Sequence, residues 1–263
     1  MICITGGAGN LGSKLVKHCV GLGRRMVAVE QCGWLRAWRP LWSTSEARKR
    51  WCNLPPRILT LRRRGQSAAM TVNVFSAAVE AGVPRVVFAS SNHVMGGYKD
   101  DASGDAIEPH QPVRVGTRWY AGGTDMGSTA YASAKHEGEV LAQSLASEPN
   151  RSSFVALRFG WCQPGDNTPL TMNASGTPTL ERGDEGEDPR VVQGSSHSDP
   201  NLLAHWFRSM WLSNADMGQL FTRDVDADVG PFQFVNGMSR NTGMRWGTTG
   251  WQAMACAPKD DAF

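Results

Sequence analysis

The sequence predicts an α/β protein whose centre is a doubly wound parallel β-sheet. Three observations predict it: a glycine-rich turn between a strand and a helix within residues 1–20, a buried strand that ends in Ser-Ser-Asn-His at 90–93, and Tyr131 and Lys135 four residues apart on a helix. Ligands of parallel α/β sheets bind beyond the carboxyl ends of the strands. The three segments are therefore expected to meet at one site.

The first element is a strand, a turn and a helix in direct succession. Residues 1–5 are apolar, residues 13–20 have helical apolar spacing, and glycines recur at every third position between them. A dinucleotide-binding turn requires this context, because glycine permits the tight bend and the approach of backbone N–H groups to a pyrophosphate. The alternative is a glycine turn that binds nothing. The residues expected to hold the cofactor are Gly6, Gly9, Asn10, Leu11 and Gly12.

The second strand leads to an acidic residue. The apolar run 26–29 ends at Glu30, which is 18 residues after Gly12. A carboxylate at this distance binds the hydroxyls of the adenosine ribose and repels a 2′-phosphate, so NAD is favoured over NADP. Alternatively, Glu30 is an ordinary solvated charge at the end of a strand and binds no cofactor.

Residues 31–66 do not fit the pattern of an α/β sheet. They contain four tryptophans and nine Lys or Arg against a single acid, and the run 58–61 is their one strand candidate. Two strands, two helices and their loops need roughly 48 residues at average lengths, whereas 40 lie between Glu30 and Thr71. One strand–helix unit is therefore predicted to be missing, truncated or irregular. A misread reading frame is one hypothesis for this segment, and sequencing the transcript would test it.

The middle of the chain contains a helix and a strand that lead to polar residues. Residues 71–81 have a helical pattern that stops at Gly82. Residues 85–89 then form a buried strand that delivers 90–93 at its carboxyl end, and a long polar stretch follows over 98–129.

The second half continues the alternation before its composition changes. Residues 131–146 predict a helix and 154–158 another parallel strand, whereas 162–200 is rich in Gly, Pro, Ser, Thr, Asp and Glu. Few large apolar residues in that stretch indicate a surface insertion. We therefore expect a Rossmann-like NAD-binding domain at 1–160 and a C-terminal substrate-binding portion at 161–263.

Composition argues against several classes of protein. The net charge is +3 over 263 residues, no run of 18 apolar residues occurs, and the first residues lack a basic leader. Neither a membrane span nor a signal peptide is predicted. The six cysteines show no CxxC spacing, so reduced thiols, a cytoplasmic location and no metal site are expected. A homo-oligomer is compatible with the sequence.

Tyr131 and Lys135 are suited to handling a proton. Positions i and i+4 share a helix face, so the phenol and the ammonium can point into one site. A free tyrosine loses its proton near pH 10 and is a poor base at neutral pH unless a nearby cation favours the phenolate. The spacing alone is weak evidence, because an exposed Tyr and a solvated Lys four residues apart are common on helices. The interpretation is stronger here because the pair follows the other two motifs in the chain.

The order of these motifs resembles that of the extended short-chain dehydrogenase/reductase superfamily, in its NAD-dependent epimerase/dehydratase branch. Within that branch, several segments are similar to uronate dehydrogenases and their relatives. The resemblance covers 1–30 and 71–263. The segments that carry it are the GxxGxxG turn at 6–12, the strand end 87–91, YxxxK at 131–135, and the runs 88–96, 211–216, 237–241 and 259–262.

The resemblance implies a role for each matching residue. Tyr131 would take the proton of a sugar hydroxyl, and Lys135 would lower the pKa of Tyr131 and hold the nicotinamide ribose of NAD. Oxidation at the anomeric carbon would then produce an aldarolactone from a sugar acid. The residues implied on the substrate side are Ser91, which would bind the reacting oxygen, Asn92 and His93, which would line the sugar site, and Arg208, which would clamp the carboxylate.

Each of these residues also has a structural interpretation. Ser91 could cap the turn after its strand, and Asn92 and His93 could bind loop groups. Arg208 lies in the helical pattern 202–221 and could stack on a neighbouring tryptophan or form an ordinary ion pair.

Other functions stay open from the sequence. A nucleotide-sugar epimerase or dehydratase would keep NAD and the Tyr/Lys pair without the carboxylate clamp. A catalytically impaired binding protein is a third interpretation, because the family's acidic residue after the third strand and its small turn after the fourth are not found within 31–70. Nucleic-acid binding by the basic segment 31–66 is not favoured, since no recognised motif accompanies it.

Overall fold

The fold is built on a six-stranded parallel sheet. The computed structural model describes residues 2–29, 51–53, 64–121, 124–149, 152–169 and 200–263. Its strands are β1 (Ile2–Thr5), β2 (Met26–Val29), β3 (Trp51–Asn53), β4 (Arg85–Ser91), β5 (Arg118–Ala121), β6 (Thr124–Gly127), β7 (Ser153–Phe159) and β8 (Phe232–Gly237). Six strands of this part of the chain pair in parallel in the order β2-β1-β3-β4-β7-β8, and β5 and β6 form a separate antiparallel hairpin. The predicted α/β class with a parallel sheet is confirmed.

Helices cover both faces of the sheet. A 3₁₀ segment, Asn92–Asp100, follows β4 directly. The expected helix over 131–146 and the expected strand over 154–158 are both confirmed. The helices are α1 (Asn10–Gly21), α2 (Arg64–Glu80), α3 (Thr129–Ser147), α4 (Pro200–Ser209), α5 (Asn214–Asp226) and α6 (Thr249–Ala253).

Alternation along the strands decides which helix packs on which face. Successive strand side chains point to opposite faces. Val87 therefore joins the buried cluster that contains α1 and α5, whereas Val86 and Phe88 join the cluster that contains α2 and α3. Within the described residues, helices thus cover both faces of the sheet, as a doubly wound sheet requires, and Trp251 of α6 joins the cluster of α1 and α5.

The strand order places a switch point beside β1. The chain leaves β1 for β2 on one side, and β3 then pairs with β1 on the other side, with Thr5 opposite Asn53. Crevices form where the order reverses, at the carboxyl ends of the strands. The glycine turn at the end of β1 therefore lies at the position where open α/β sheets bind ligands.

The segment 31–66 contains a strand that the sequence did not predict. β3 comprises Trp51–Asn53 and pairs in register with both β1 and β4. The strand candidate at 58–61 and Glu30 lie outside the described residues. α2 begins at Arg64, seven residues before the expected helix start.

The helical pattern at 202–221 is broken in the structure. α4 ends at Ser209 and α5 begins at Asn214, with Ser213 as the N-cap that accepts a hydrogen bond from the Asp216 amide at 2.9 Å. Between them, Trp211 forms a bridge with Trp161 after β7. The structure thus divides the helical pattern of 202–221 between two helices, because tertiary pairing interrupts it at Trp211.

The C-terminal portion is joined to the sheet through β8, which pairs with β7 from Phe154 to Phe159. The division at residue 160 stays a prediction. Among the helices in the described ranges, none is long and apolar enough to cross a membrane.

Candidate active site

The turn after β1 is shaped by the absence of side chains. Gly6 has φ +72°, a conformation that L side chains rarely adopt. A Cβ at Gly12 would lie 2.0 Å from the carbonyl oxygen of Gly6, and the amide of Gly9 donates to that same oxygen at 3.0 Å. α1 begins at Asn10 directly behind this turn. The N-terminus of α1, which carries a partial positive charge, is therefore set at the crevice.

Side chains beside the turn tie it to the second half of the chain. Asn10 Nδ2 donates to the carbonyl of Cys162 at 2.9 Å, and Lys14 Nζ donates to Asn214 Oδ1 at 2.7 Å. Leu11 packs, partly buried, against the apolar cluster below α1. The side chain of Asn10 is thus occupied by the protein, and Lys14 is a residue that sequence reasoning missed.

Lys135 is seated against the end of β4. It is 6% exposed, and its Nζ donates to the carbonyl of Ala89 at 2.6 Å. A glycine permits this close packing, since a Cβ at Gly138 would lie 2.6 Å from the ring of Phe88. α3 therefore lies near enough to β4 for a lysine to reach the strand's backbone.

Tyr131 and Ser91 share a side-chain hydrogen bond. Burial raises the pKa of Tyr131 above its ordinary value, and the bond with Ser91 acts in the opposite direction. Nζ of Lys135 lies 5.7 Å from the centroid of the Tyr131 ring. Burial lowers the pKa of Lys135 to about 7, against the opposing charge of Glu139. The amine thus titrates near neutrality.

His93 and Asn92 stand next to this pair. The His93 ring meets the Tyr131 ring edge-on at 6.1 Å, and its Nδ1 is 2.8 Å from Thr117 Oγ1. Burial lowers the pKa of His93 to about 4, so the ring is neutral at physiological pH. Asn92 is buried, and its Oδ1 has no hydrogen-bond partner within the described part of the chain. A ligand hydroxyl is the kind of group that satisfies such an acceptor.

Ser91 also has the capping role that the sequence left open. Its Oγ accepts from the His93 amide at 3.2 Å, which starts the 3₁₀ segment. The same hydroxyl thus fixes the backbone of His93 and contacts Tyr131.

Arg208 lies in a different environment. Its Nε donates to the carbonyl of Ala262 at 2.9 Å, and its guanidinium stacks on the Phe263 ring at 4.6 Å. Contacts among the described residues bring Ser91, His93, Tyr131 and Lys135 together, but those contacts do not join Arg208 to them.

Sequence reasoning also missed a buried charge network behind Lys135. Glu139 binds Arg158 through both carboxylate oxygens, at 2.9 and 2.8 Å, and accepts from Ser90 Oγ at 2.5 Å. The available signals were an acid four residues after Lys135 and an arginine inside an apolar strand.

The arrangement can move a proton at neutral pH. A partly buried phenol is hydrogen-bonded to a serine hydroxyl, near a buried amine whose pKa is about 7. Because Nζ of Lys135 lies 5.7 Å from the centroid of the phenol ring, a charged amine favours the phenolate, and the two groups form one proton-handling system. A substrate hydroxyl placed at Ser91 and Tyr131 would lie within reach of this system.

Part of the chain is similar to a known protein family and to curated proteins. Residues 65–161 match the model of the NAD dependent epimerase/dehydratase family. An NAD-dependent glucose-6-phosphate dehydrogenase of Haloferax volcanii is 29% identical over 65% of this chain and 51% of its own. A uronate dehydrogenase of Pseudomonas syringae pv. tomato is 27% identical over 75% and 53%. The chain thus spans about half the length of the curated relatives it matches.

Similarity in structure extends further than similarity in sequence. A mutant of uronate dehydrogenase from Agrobacterium tumefaciens, solved in complex with NAD, has a TM-score of 0.65 at 19% identity. The match covers 99% of this chain and 85% of that chain. At this identity the likeness establishes the shared fold.

Proposed function

Since the chain belongs to the NAD-dependent epimerase/dehydratase family, we propose that it is an NAD-dependent oxidoreductase that oxidises an aldohexuronic acid, or a related sugar, at C1. The observation that carries the proposal is the cluster of Ser91, Tyr131 and Lys135 at the carboxyl end of β4, in which Ser91 bonds to Tyr131 and Lys135 binds the Ala89 carbonyl. The relatives named above support the reaction class, because each is named as a dehydrogenase of a sugar derivative.

The residues of the glycine turn fit a dinucleotide. A side chain at Gly12 would fill the space beside the Gly6 carbonyl, and the N-terminus of α1 follows immediately. Because the side chain of Asn10 binds Cys162, Asn10 and Leu11 would contact the pyrophosphate through their backbone. When bound, NAD supplies the acceptor for the hydride that leaves C1. Lys135 would hold the nicotinamide ribose, and Glu30 would hold the adenosine ribose.

Tyr131 and Ser91 would handle the proton of the substrate. Ser91 donates to or accepts from the reacting oxygen, and Tyr131 takes the proton of the C1 hydroxyl. Loss of that proton and of the C1 hydride converts the cyclic sugar acid to a lactone. Lys135 stabilises the phenolate form of Tyr131 when its ammonium is charged.

Asn92, His93 and Arg208 would orient the sugar. The free acceptor of Asn92 suits a sugar hydroxyl, and the neutral His93 ring can donate or accept through Nε2. Arg208 would bind the carboxylate through the terminal nitrogens of its guanidinium, since its Nε is occupied by Ala262. Phe263 keeps the guanidinium plane fixed by stacking.

The proposal is tested by the appearance of NADH on mixing the protein and NAD with glucuronate or galacturonate, and by chromatography of the sugar products formed from a nucleotide sugar, whose epimerisation or dehydration yields no net NADH. We expect NADH with a uronate, and a loss of that activity in Arg208→Ala. Turnover of a nucleotide sugar that survives Arg208→Ala, without uronate oxidation, would instead identify a nucleotide-sugar epimerase or dehydratase. Saturable NAD binding with no turnover of either class would indicate the catalytically impaired binding protein.

A further inference from the structure

Glu139 is a buried acid one helical turn beyond Lys135. Its side chain is fully enclosed, and its carboxylate binds Arg158 of β7 through two hydrogen bonds. Arg158 is held in turn by the carbonyl of Pro109 at 2.9 Å and by stacking on Phe234 at 4.5 Å. Burial alone would raise the pKa of Glu139, but the hydrogen bonds and charge of Arg158 hold it below its ordinary value. Glu139 is therefore a fixed negative charge at neutral pH.

The carboxylate of Glu139 continues a regular set of contacts between β4 and α3. Three consecutive residues at the end of β4 each bind one side chain of α3, within three turns of the helix. The pairs are Ala89 with Lys135, Ser90 with Glu139, and Ser91 with Tyr131.

We propose that Glu139, fixed by Arg158, is a positioning residue for the proposed reaction: through Ser90 it holds the strand that carries Ser91, and through its charge it keeps the neighbouring Lys135 as an ammonium. This inference rests on the proposed function, since it assigns a role to a residue behind the same site.

The charge effect has a clear direction. The charged and titratable groups that face Glu139 are Lys135 and His136 on α3 and Arg158 on β7, with His136 Nδ1 at 3.7 Å. Glu139 raises the pKa of Lys135 against the lowering by burial. Removal of the Glu139 charge therefore favours the neutral amine.

The pH profile of kcat/KM separates positioning from a purely structural role. At low pH, Tyr131 and Lys135 together hold two protons, and the active form has lost one of them. In Glu139→Gln the doubly protonated form is less favoured, so the acid limb of the profile moves to lower pH by about one unit. The remaining proton also shifts from the amine to the phenol, so the plateau falls by about tenfold or more.

The experiment compares Glu139→Gln, the double variant Glu139→Gln/Arg158→Met, and Asp216→Asn with the wild type. The double variant removes both charges of the Glu139–Arg158 pair, so we expect it to fold even if Glu139→Gln does not. Asp216 is a matched control, because it is equally buried and accepts from a serine hydroxyl, Ser239 Oγ, at 2.6 Å.

We expect a lower midpoint in every folded Glu139 variant and an unchanged midpoint in Asp216→Asn. Folded Glu139 variants with the wild-type midpoint would overturn the inference while the proposed function stands. A wild type that binds NAD but oxidises no sugar would overturn the proposed function, and the inference with it.

Discussion

The glycine turn after β1 and the junction of β4 with α3 hold their functional groups by opposite means. In the turn, the shape follows from missing side chains, and Gly9 and Asn10 are exposed. At the junction, Lys135 and Ser91 are buried and have hydrogen-bond partners. Backbone N–H groups need space around them to bind an anion, whereas side chains with shifted pKa values need a closed environment. We therefore expect changes in the turn to weaken NAD binding and changes at the junction to slow the reaction, each without the other effect.

The largest effect is expected at the junction. Tyr131→Phe removes the proton acceptor and should lower kcat by about a thousandfold, while the Kd for NAD stays within about twofold. Steady-state formation of NADH and a fluorescence titration measure the two quantities.

Tyr98→Phe is the matched control for that change. Tyr98 is buried, whereas Tyr131 is partly buried, and the Tyr98 hydroxyl donates to the carbonyl of Pro112 at 2.8 Å. The control should keep kcat within about threefold. Equal losses in both variants would mean that Tyr131 acts through stability alone.

The second prediction concerns a substitution in the glycine turn. In Gly12→Ala, the new Cβ would meet the Gly6 carbonyl at 2.0 Å, so the turn must open. We expect NAD affinity to fall by about a hundredfold and the free energy of unfolding to fall by about 2 kcal/mol. Calorimetric NAD binding and urea unfolding measure these effects.

Gly21→Ala provides the comparison on the same helix, because nothing lies within 4 Å of a Cβ there. NAD binding should be unchanged in this variant. If Gly12→Ala binds NAD as the wild type does, the turn is not the cofactor site.

A smaller effect concerns pH and stability. Burial lowers the pKa of Lys135 to about 7 in the folded protein, below its ordinary value of 10.5. Between these pH values the unfolded chain binds the proton and the folded chain does not, so stability rises with pH, by up to about 1.4 kcal/mol per unit. Below pH 7 both the folded and the unfolded chain bind the proton, so the full free-energy cost of burying the ammonium lowers the stability.

Lys135→Met should remove that rise, whereas Lys17→Met, at an exposed lysine of α1, should keep it. Urea unfolding at a series of pH values is the measurement. A rise that persists in Lys135→Met would show that another group causes it.

The smallest effect tests the sugar side of the junction. Thr117→Val removes the hydroxyl that binds His93 Nδ1, and it should raise the KM for the sugar about fivefold with little change in kcat. Thr222→Val is the control, since that buried hydroxyl binds only the backbone of α5. If Thr117→Val had the same KM as the wild type, His93 would not be part of the substrate site.

The regions also differ in how far the sequence predicts them. The glycine turn and α3 follow from local patterns, glycine spacing and an i, i+4 pair, and both are where they were expected. The β5–β6 hairpin within 98–129 was not predicted, nor was the break between α4 and α5, because Trp211 pairs with Trp161 across the fold.

The contacts behind the site were missed for the same reason. Glu139 and Arg158 are 19 positions apart in the chain and meet because α3 packs across β7. Helical spacing places Glu139 beside Lys135, but it cannot show that the acid is buried or which partner holds its charge. β3 was missed because three residues are too short for a periodicity to appear.

A titration of the wild-type protein with NAD, followed by the fluorescence of its ten tryptophans, tests most directly whether one NAD-dependent site exists. We expect a saturable change that persists in Tyr131→Phe and needs about a hundredfold more NAD in Gly12→Ala. A wild type with no saturable change would contradict the claim that the glycine turn and the Ser91, Tyr131 and Lys135 group form one NAD-dependent site.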